Sequence, residues 1–177
     1  MAQERRPVPP LDTAKLERLA LRYVERFATT RGKLTDYLRR KIRERGWDGD
    51  AADPAALAER MAGLGYVDDR AYAEARASVL GRRGLGARRV AGALQEARIG
   101  EEDAEAVAPG IEARAIDAAL TFARRRRIGP FGVPVADRAG REKQLGAMLR
   151  AGHPLELSRR IVDAPQGSEP TAESLEG

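Results

Sequence analysis

Apolar positions recur with helical period along nearly the whole chain, and no stretch alternates as a half-buried strand does. Leu16, Leu19, Ala20, Tyr23, Val24 and Phe27 fall on one stripe of a helix over about 12–28, with Asp12 or Thr13 as N-cap. Leu34, Leu38 and Ile42 stripe a second helix over about 32–45, stopped by Gly46. Asp53 and Pro54 open a third, about 54–64, with Leu57, Met61 and Leu64 inward. The pattern then restarts. Asp68 or Asp69 caps a helix over about 69–82 bearing Tyr72, Ala75, Val79 and Leu80. Gly84-Leu85-Gly86 breaks it, and Val90, Ala93, Leu94 and Ala97 mark a helix over about 87–98. A short acidic helix from Glu101 to about Val107 ends at Pro109-Gly110. A third round follows. Ile116, Ala119, Leu120 and Ala123 stripe residues 111–127, and Ile128–Pro134 reads as a loop. Leu145, Met148 and Leu149 stripe 135–151 up to Gly152, and Leu155, Leu157, Ile161 and Val162 stripe 154–163.

Three rounds of long helix, second helix and short helix constitute an internal repeat. Ile42, Leu94 and Met148 take equivalent places at offsets of 52 and 54 residues. A three-helix unit of about 50 residues has a small core, and stacking units along an axis buries more apolar face. The expected fold is all-α, an elongated tandem array of three three-helix repeats. Their expected bounds are 12–66, 67–110 and 111–164. Residues 1–11 are expected to be a disordered tail, with three prolines among the first ten. Residues 165–177 are expected to be a disordered acidic tail, since the last twelve carry three glutamates and no base.

Composition narrows the chemistry. The chain of 177 residues has no cysteine, which excludes disulfides and thiolate metal or redox sites. Its one histidine, His153, excludes a His-pair metal site and reads as structural or solvent-exposed at a helix junction. No run of about 18 apolar residues occurs, so no membrane span is expected. The first residues lack the apolar core of a signal peptide, which points to the cytoplasm. The net charge is +5, and 28 of the 32 basic residues are arginine, the better fork for phosphate and carboxylate. Such a balance favours nucleic acid or an acidic protein surface as partner.

The basic clusters are therefore the candidate site. Arg39, Arg40 and Arg43 lie on the second helix, off its apolar stripe. Arg82, Arg83, Arg88 and Arg89 surround the Gly84–Gly86 turn, and Arg124, Arg125, Arg126 and Arg127 end a helix of the third unit. Each alone can be a solvated helix face or a complement to a helix C-terminus. Recurrence at related places in three units suits a polyanion or an acidic filament. Gly84–Arg89 is not a nucleotide loop, because a helix and not a strand precedes it, and no Gly-Lys-Ser/Thr occurs. Asp68 and Asp69 read as N-cap and first-turn acids rather than a metal-holding pair. Trp47 reads as packing rather than base-stacking. A helix-turn-helix reader of DNA is the competing interpretation of 69–98. Neither catalytic residues, a cofactor nor a metal site is expected.

The stretches GYVDDRAYAEA and RRGLGARRVAGALQEARI, flanked by LTDYLRRKIRERGW and AMLRAGHPLELSRRIVD, resemble the bacterial regulatory RecX family over roughly residues 13–164. The structural signature comprises Tyr66, Asp68, Asp69 and Tyr72, then Gly84 and Gly86. Arg98-Ile99 departs from the usual Gly-Ile and is expected to move the helix stop to Gly100. The resemblance implies tandem three-helix repeats in a crescent-shaped monomer. It implies binding to the RecA recombinase, usually in the groove of its nucleoprotein filament, and to single- and double-stranded DNA. The implied consequence is inhibition of strand exchange and coprotease activity, by blocking filament growth or promoting disassembly.

Overall fold

The computed structural model describes residues 9–134 and 137–175. Among the described residues the secondary structure is ten α-helices and one 3-10 turn, with no strand beyond an isolated bridge between Leu11 and Trp47. The fold is all-α. The chain divides into two compact units. One runs up to Tyr72 and includes Ala97–Gly100; the other comprises Ala73–Glu96 and everything from Glu101 onward.

In the first unit, α1 (Thr13–Arg26), α2 (Arg31–Arg45) and α3 (Pro54–Gly63) pack around one another. Their first turns are closed as the sequence reads. Asp12 accepts from the Lys15 amide at 2.8 Å, and Asp53 accepts from the Ala56 amide at 2.9 Å. Thr30 caps α2 by accepting from the Lys33 amide, while its own hydroxyl donates to the Ala97 carbonyl at 2.5 Å. The core is Leu16, Ala20, Leu34, Leu38, Leu57, Ala58, Met61 and Val67, joined by Leu11. Leu11 was expected in a disordered tail. Instead it is fully buried, its amide donating to the Gly46 carbonyl and its carbonyl accepting from the Asp48 amide. Residues 1–8 of that tail lie outside the described residues. Ile42 is half-buried, and Phe27 and Leu64, expected inward, are exposed.

The second unit holds most of α4 (Asp69–Arg82), with α5 (Ala87–Glu96), α6 (Glu101–Glu112), α7 (Ala115–Arg126), α8 (Arg138–Arg150), α9 (Leu155–Val162) and α10 (Ala172–Leu175). Its largest core cluster is Ala119, Leu120, Ala123, Ile128, Met148, Ile161 and Leu175. The buried stripe of α4 is Ala73, Ala77 and Leu80; Ala75 is exposed, and Tyr72 and Val79 are half-buried. In a helix this rich in alanine, side-chain size does not mark the inner face. Helix α6 runs through Pro109 to Glu112, and α7 starts only at Ala115. Proline deletes one donor, and Glu105, four residues before it, is exposed, so its freed carbonyl lies in an exposed stretch of the helix. The stop falls instead where the Arg114 amide bonds the Ile111 carbonyl.

The Ile128–Pro134 loop contains one 3-10 turn, Gly129–Phe131. Helix α8 begins at Arg138, capped by Asp137, whose carboxylate accepts from the Gly140 amide; the expected first two residues, 135 and 136, lie outside the described residues. The C-terminal segment, expected to be disordered, folds back through residue 175. The Gly167 amide donates to the Pro130 carbonyl, the Gln166 side chain to the Gly132 carbonyl, and Leu175 enters the core. Arg160 on α9 donates to the Leu175 carbonyl at 2.8 Å.

Candidate polyanion-binding site

The arginine positions follow from two helix ends and one tight turn. Gly84 sits at φ +82°, and a Cβ there would lie 2.8 Å from the Phe122 amide nitrogen. A Cβ on Gly86 would lie 2.4 Å from the Gly152 carbonyl carbon. Only glycine fits at either position, so the α4–α5 turn is pressed against α7 and the α8–α9 junction. This approach places Arg82, which ends α4, and Arg83, which follows it, in the same packed region as Arg124, Arg125 and Arg126, which end α7. Arg125 bridges the two ends directly by donating to the Arg83 carbonyl at 3.2 Å. Arg127 closes α7 in the left-handed conformation, φ +54°.

Arg88 and Arg89 lie in the first turn of α5, where the helix dipole disfavours cations. Arg88 is partly accounted for, because its guanidinium donates to the Leu149 carbonyl at 2.6 Å, in the last turn of α8. Arg82 donates to the Ser78 hydroxyl, and Arg124 lies 5.0 Å from the Phe131 ring centre. In the first unit, Arg39, Arg40 and Arg43 are exposed on α2, away from buried Leu34 and Leu38. Arg40 sits over the Tyr37 ring and faces Glu44 at 3.6 Å.

That ion pair separates Arg40 from the others. Among the described residues, Arg39, Arg43, Arg82, Arg83, Arg88, Arg89, Arg124, Arg125, Arg126 and Arg127 face no carboxylate within ion-pair distance, although all are exposed. Some arginines elsewhere are matched: Arg60 with Glu17, Arg98 with Asp36, Arg138 with Glu142, Arg141 with Asp163 and Arg159 with Glu156. Both clusters therefore present positive charge that local carboxylates do not fully compensate, and exposed Arg18, Arg22, Arg26, Arg76, Arg114 and Arg150 share that state.

The signature carboxylates have separate tasks. Asp68 caps α4 by accepting from the Ala71 amide at 2.8 Å. Asp69 is buried, and one oxygen accepts from the Arg31 amide at 2.8 Å. Its other oxygen faces Arg31 Nε at 3.2 Å, and Arg31 also reaches Glu59 at 3.3 Å. A residue at the start of α4 thus closes the orphaned N-terminus of α2, a role spacing alone did not indicate. Tyr66 of the signature is half exposed, and Tyr72 is half-buried. The expected move of the α5 stop to Gly100 does not occur: Arg98 itself adopts φ +58°, taking the left-handed place on its own.

His153 is buried, its Nε2 lying 3.1 Å from the Gly84 carbonyl and its ring 5.6 Å from Phe122. It is therefore structural, pinning the glycine turn. Burial lowers its pKa below the ordinary histidine value, and the bond to the Gly84 carbonyl offsets part of that. Among the described residues no group of histidine and carboxylate side chains is placed to hold a metal. No helix among them is long and apolar enough to cross a membrane.

The described residues form a basic all-α protein with exposed arginine clusters. The chain belongs to the RecX family of regulatory proteins. The regulatory protein RecX of Myxococcus xanthus is 31% identical, with 92% of each chain covered. That of Agrobacterium fabrum is 31% identical over 81% of this chain and 79% of its own, and that of Thermobifida fusca 31% over 84% and 77%. No family model and no solved structure matches the chain.

Proposed function

We propose that this protein binds the RecA recombinase and its nucleoprotein filament on DNA, and inhibits strand exchange and coprotease activity. It does so as a cytoplasmic monomer, by blocking filament extension or promoting disassembly, and it contacts both single- and double-stranded DNA. The observation that supports this reading is the set of exposed, unpaired arginines on α2 and around the α4–α5 turn. A guanidinium without a local carboxylate is available to phosphate or to an acidic protein surface. A ligand that binds one filament geometry more tightly than another shifts the filament between states, so the inhibitor needs no chemistry of its own. ATP hydrolysis belongs to the recombinase.

The competing helix-turn-helix reading requires the N-terminus of α5 to enter a major groove. That end abuts Gly152, and Arg88 is tied to α8, which argues against it. The test is RecA ATPase and strand exchange on single-stranded DNA with substoichiometric protein added. Strong inhibition well below one protein per recombinase supports action on the filament. Inhibition only at equivalence indicates capture of free recombinase, and none refutes the reading.

A further inference from the structure

The end of α1 carries a run of aromatic rings that helix packing does not require. Phe27 follows the last residue of α1 and is 53% exposed, in a chain with only 5% aromatic residues. Its ring centre lies 5.2 Å from that of Tyr23. Tyr23 in turn stacks on Tyr37 of α2, with centres 4.2 Å apart and planes within 20°. Both tyrosines are partly buried against the first unit's core. The run is thus anchored at its inner end and open to solvent at Phe27.

Cations rim it. The Arg26 guanidinium lies 5.8 Å from the Phe27 ring centre, and Arg40 and Lys41 lie 5.6 and 5.9 Å from that of Tyr37. Glu44 answers Lys41 and Arg40 together, so the rim remains net positive. An exposed aromatic face bordered by cations is suited to unpaired nucleobases: the ring stacks on the base, and the cations meet the flanking phosphates. A duplex keeps its base faces inside its own stack and cannot use such a platform. Trp47, the other stacking candidate in the sequence, is occupied. It packs against the core, and its Nε1 donates to the Asp50 carbonyl.

We infer that Phe27, backed by Tyr23 and Tyr37, is a stacking platform for single-stranded nucleic acid, with Arg26 holding the adjoining phosphate. This rests on the DNA-binding part of the function proposed above and adds the place and the strandedness. The test is fluorescence anisotropy of labelled oligo(dT), and of a duplex of equal length, with the full chain, F27A and F27W. One stacked base is worth about 1–3 kcal/mol, so F27A weakens oligo(dT) binding roughly 5- to 150-fold. Duplex binding stays within about twofold, and F27W restores the single-strand affinity. Because Phe27 is exposed, F27A melts as the parent does. Unchanged oligo(dT) binding by F27A, or equal loss for both nucleic acids, overturns the platform while leaving DNA binding intact. Loss of affinity for DNA-free RecA with oligo(dT) binding retained also overturns it, in favour of a protein contact. Failure of the parent to bind either nucleic acid overturns both the platform and the DNA-binding reading.

Discussion

Asp69 and His153 show how single polar side chains hold this fold. Asp69 is 5% exposed and serves both the Arg31 amide and the Arg31 guanidinium. Replacing it with alanine uncaps α2 and strips a partner from Arg31. Because Arg31 is partly exposed and keeps Glu59, the loss lies below that of a fully buried pair, at about 2 kcal/mol in urea melts. His153 gives a pH dependence of definite sign. Its folded pKa is depressed by burial, so its contribution is fully present above the unfolded value, about 6.5. It is lost as pH falls from there through the folded value, because the unfolded state binds the proton more readily. No other histidine exists to mask this. Melts at pH 7.5 and 5.5 therefore show a stability loss that H153Q, less stable overall, shows in smaller measure.

At the level of the helices, the repeat alignment treats Ile42, Leu94 and Met148 alike, but their burial differs. Leu94 is 2% exposed and Met148 fully buried, whereas Ile42 only flanks the first unit's core. Leu94→Ala is expected to cost about 2–5 kcal/mol and Ile42→Ala about 1 kcal/mol, measured by denaturant unfolding. Helix starts were legible because Asp12, Asp53 and Asp68 act through their own first turns, within three residues. The inner face of α4 was not, since alanines lie on both of its sides. Nor was the continuation of α6 through Pro109, since a proline followed by glycine reads as a helix stop. The C-terminal segment misled by composition: its residues are polar, yet one leucine and a few backbone hydrogen bonds dock it. The arginine clusters were legible as residues. What the sequence lacked was their state of pairing, because Arg60 and Glu17 lie 43 positions apart and only folding matches them.

For the molecule as a whole, the arginines that face no carboxylate are the ones to probe for contact with a partner. Arg89 is the sharper probe of phosphate contact than Arg88, whose guanidinium also ties α5 to α8. Arg89→Ala is expected to reduce the slope of log affinity against log salt on duplex DNA by about 0.9, the value of one phosphate contact. An unchanged slope removes Arg89 from the DNA interface. Inhibition of the recombinase is the wider consequence of these contacts as proposed. Its most direct measurement compares RecA-driven strand exchange in the presence of the parent protein and of a variant with Arg39, Arg43, Arg82, Arg83 and Arg126 all changed to serine. Substitution of these exposed, unpaired side chains leaves the fold intact by circular dichroism. The account predicts that the variant requires at least about tenfold more protein for equal inhibition, each lost charge contact being worth of order 1 kcal/mol. A correctly folded variant that inhibits as strongly as the parent contradicts it.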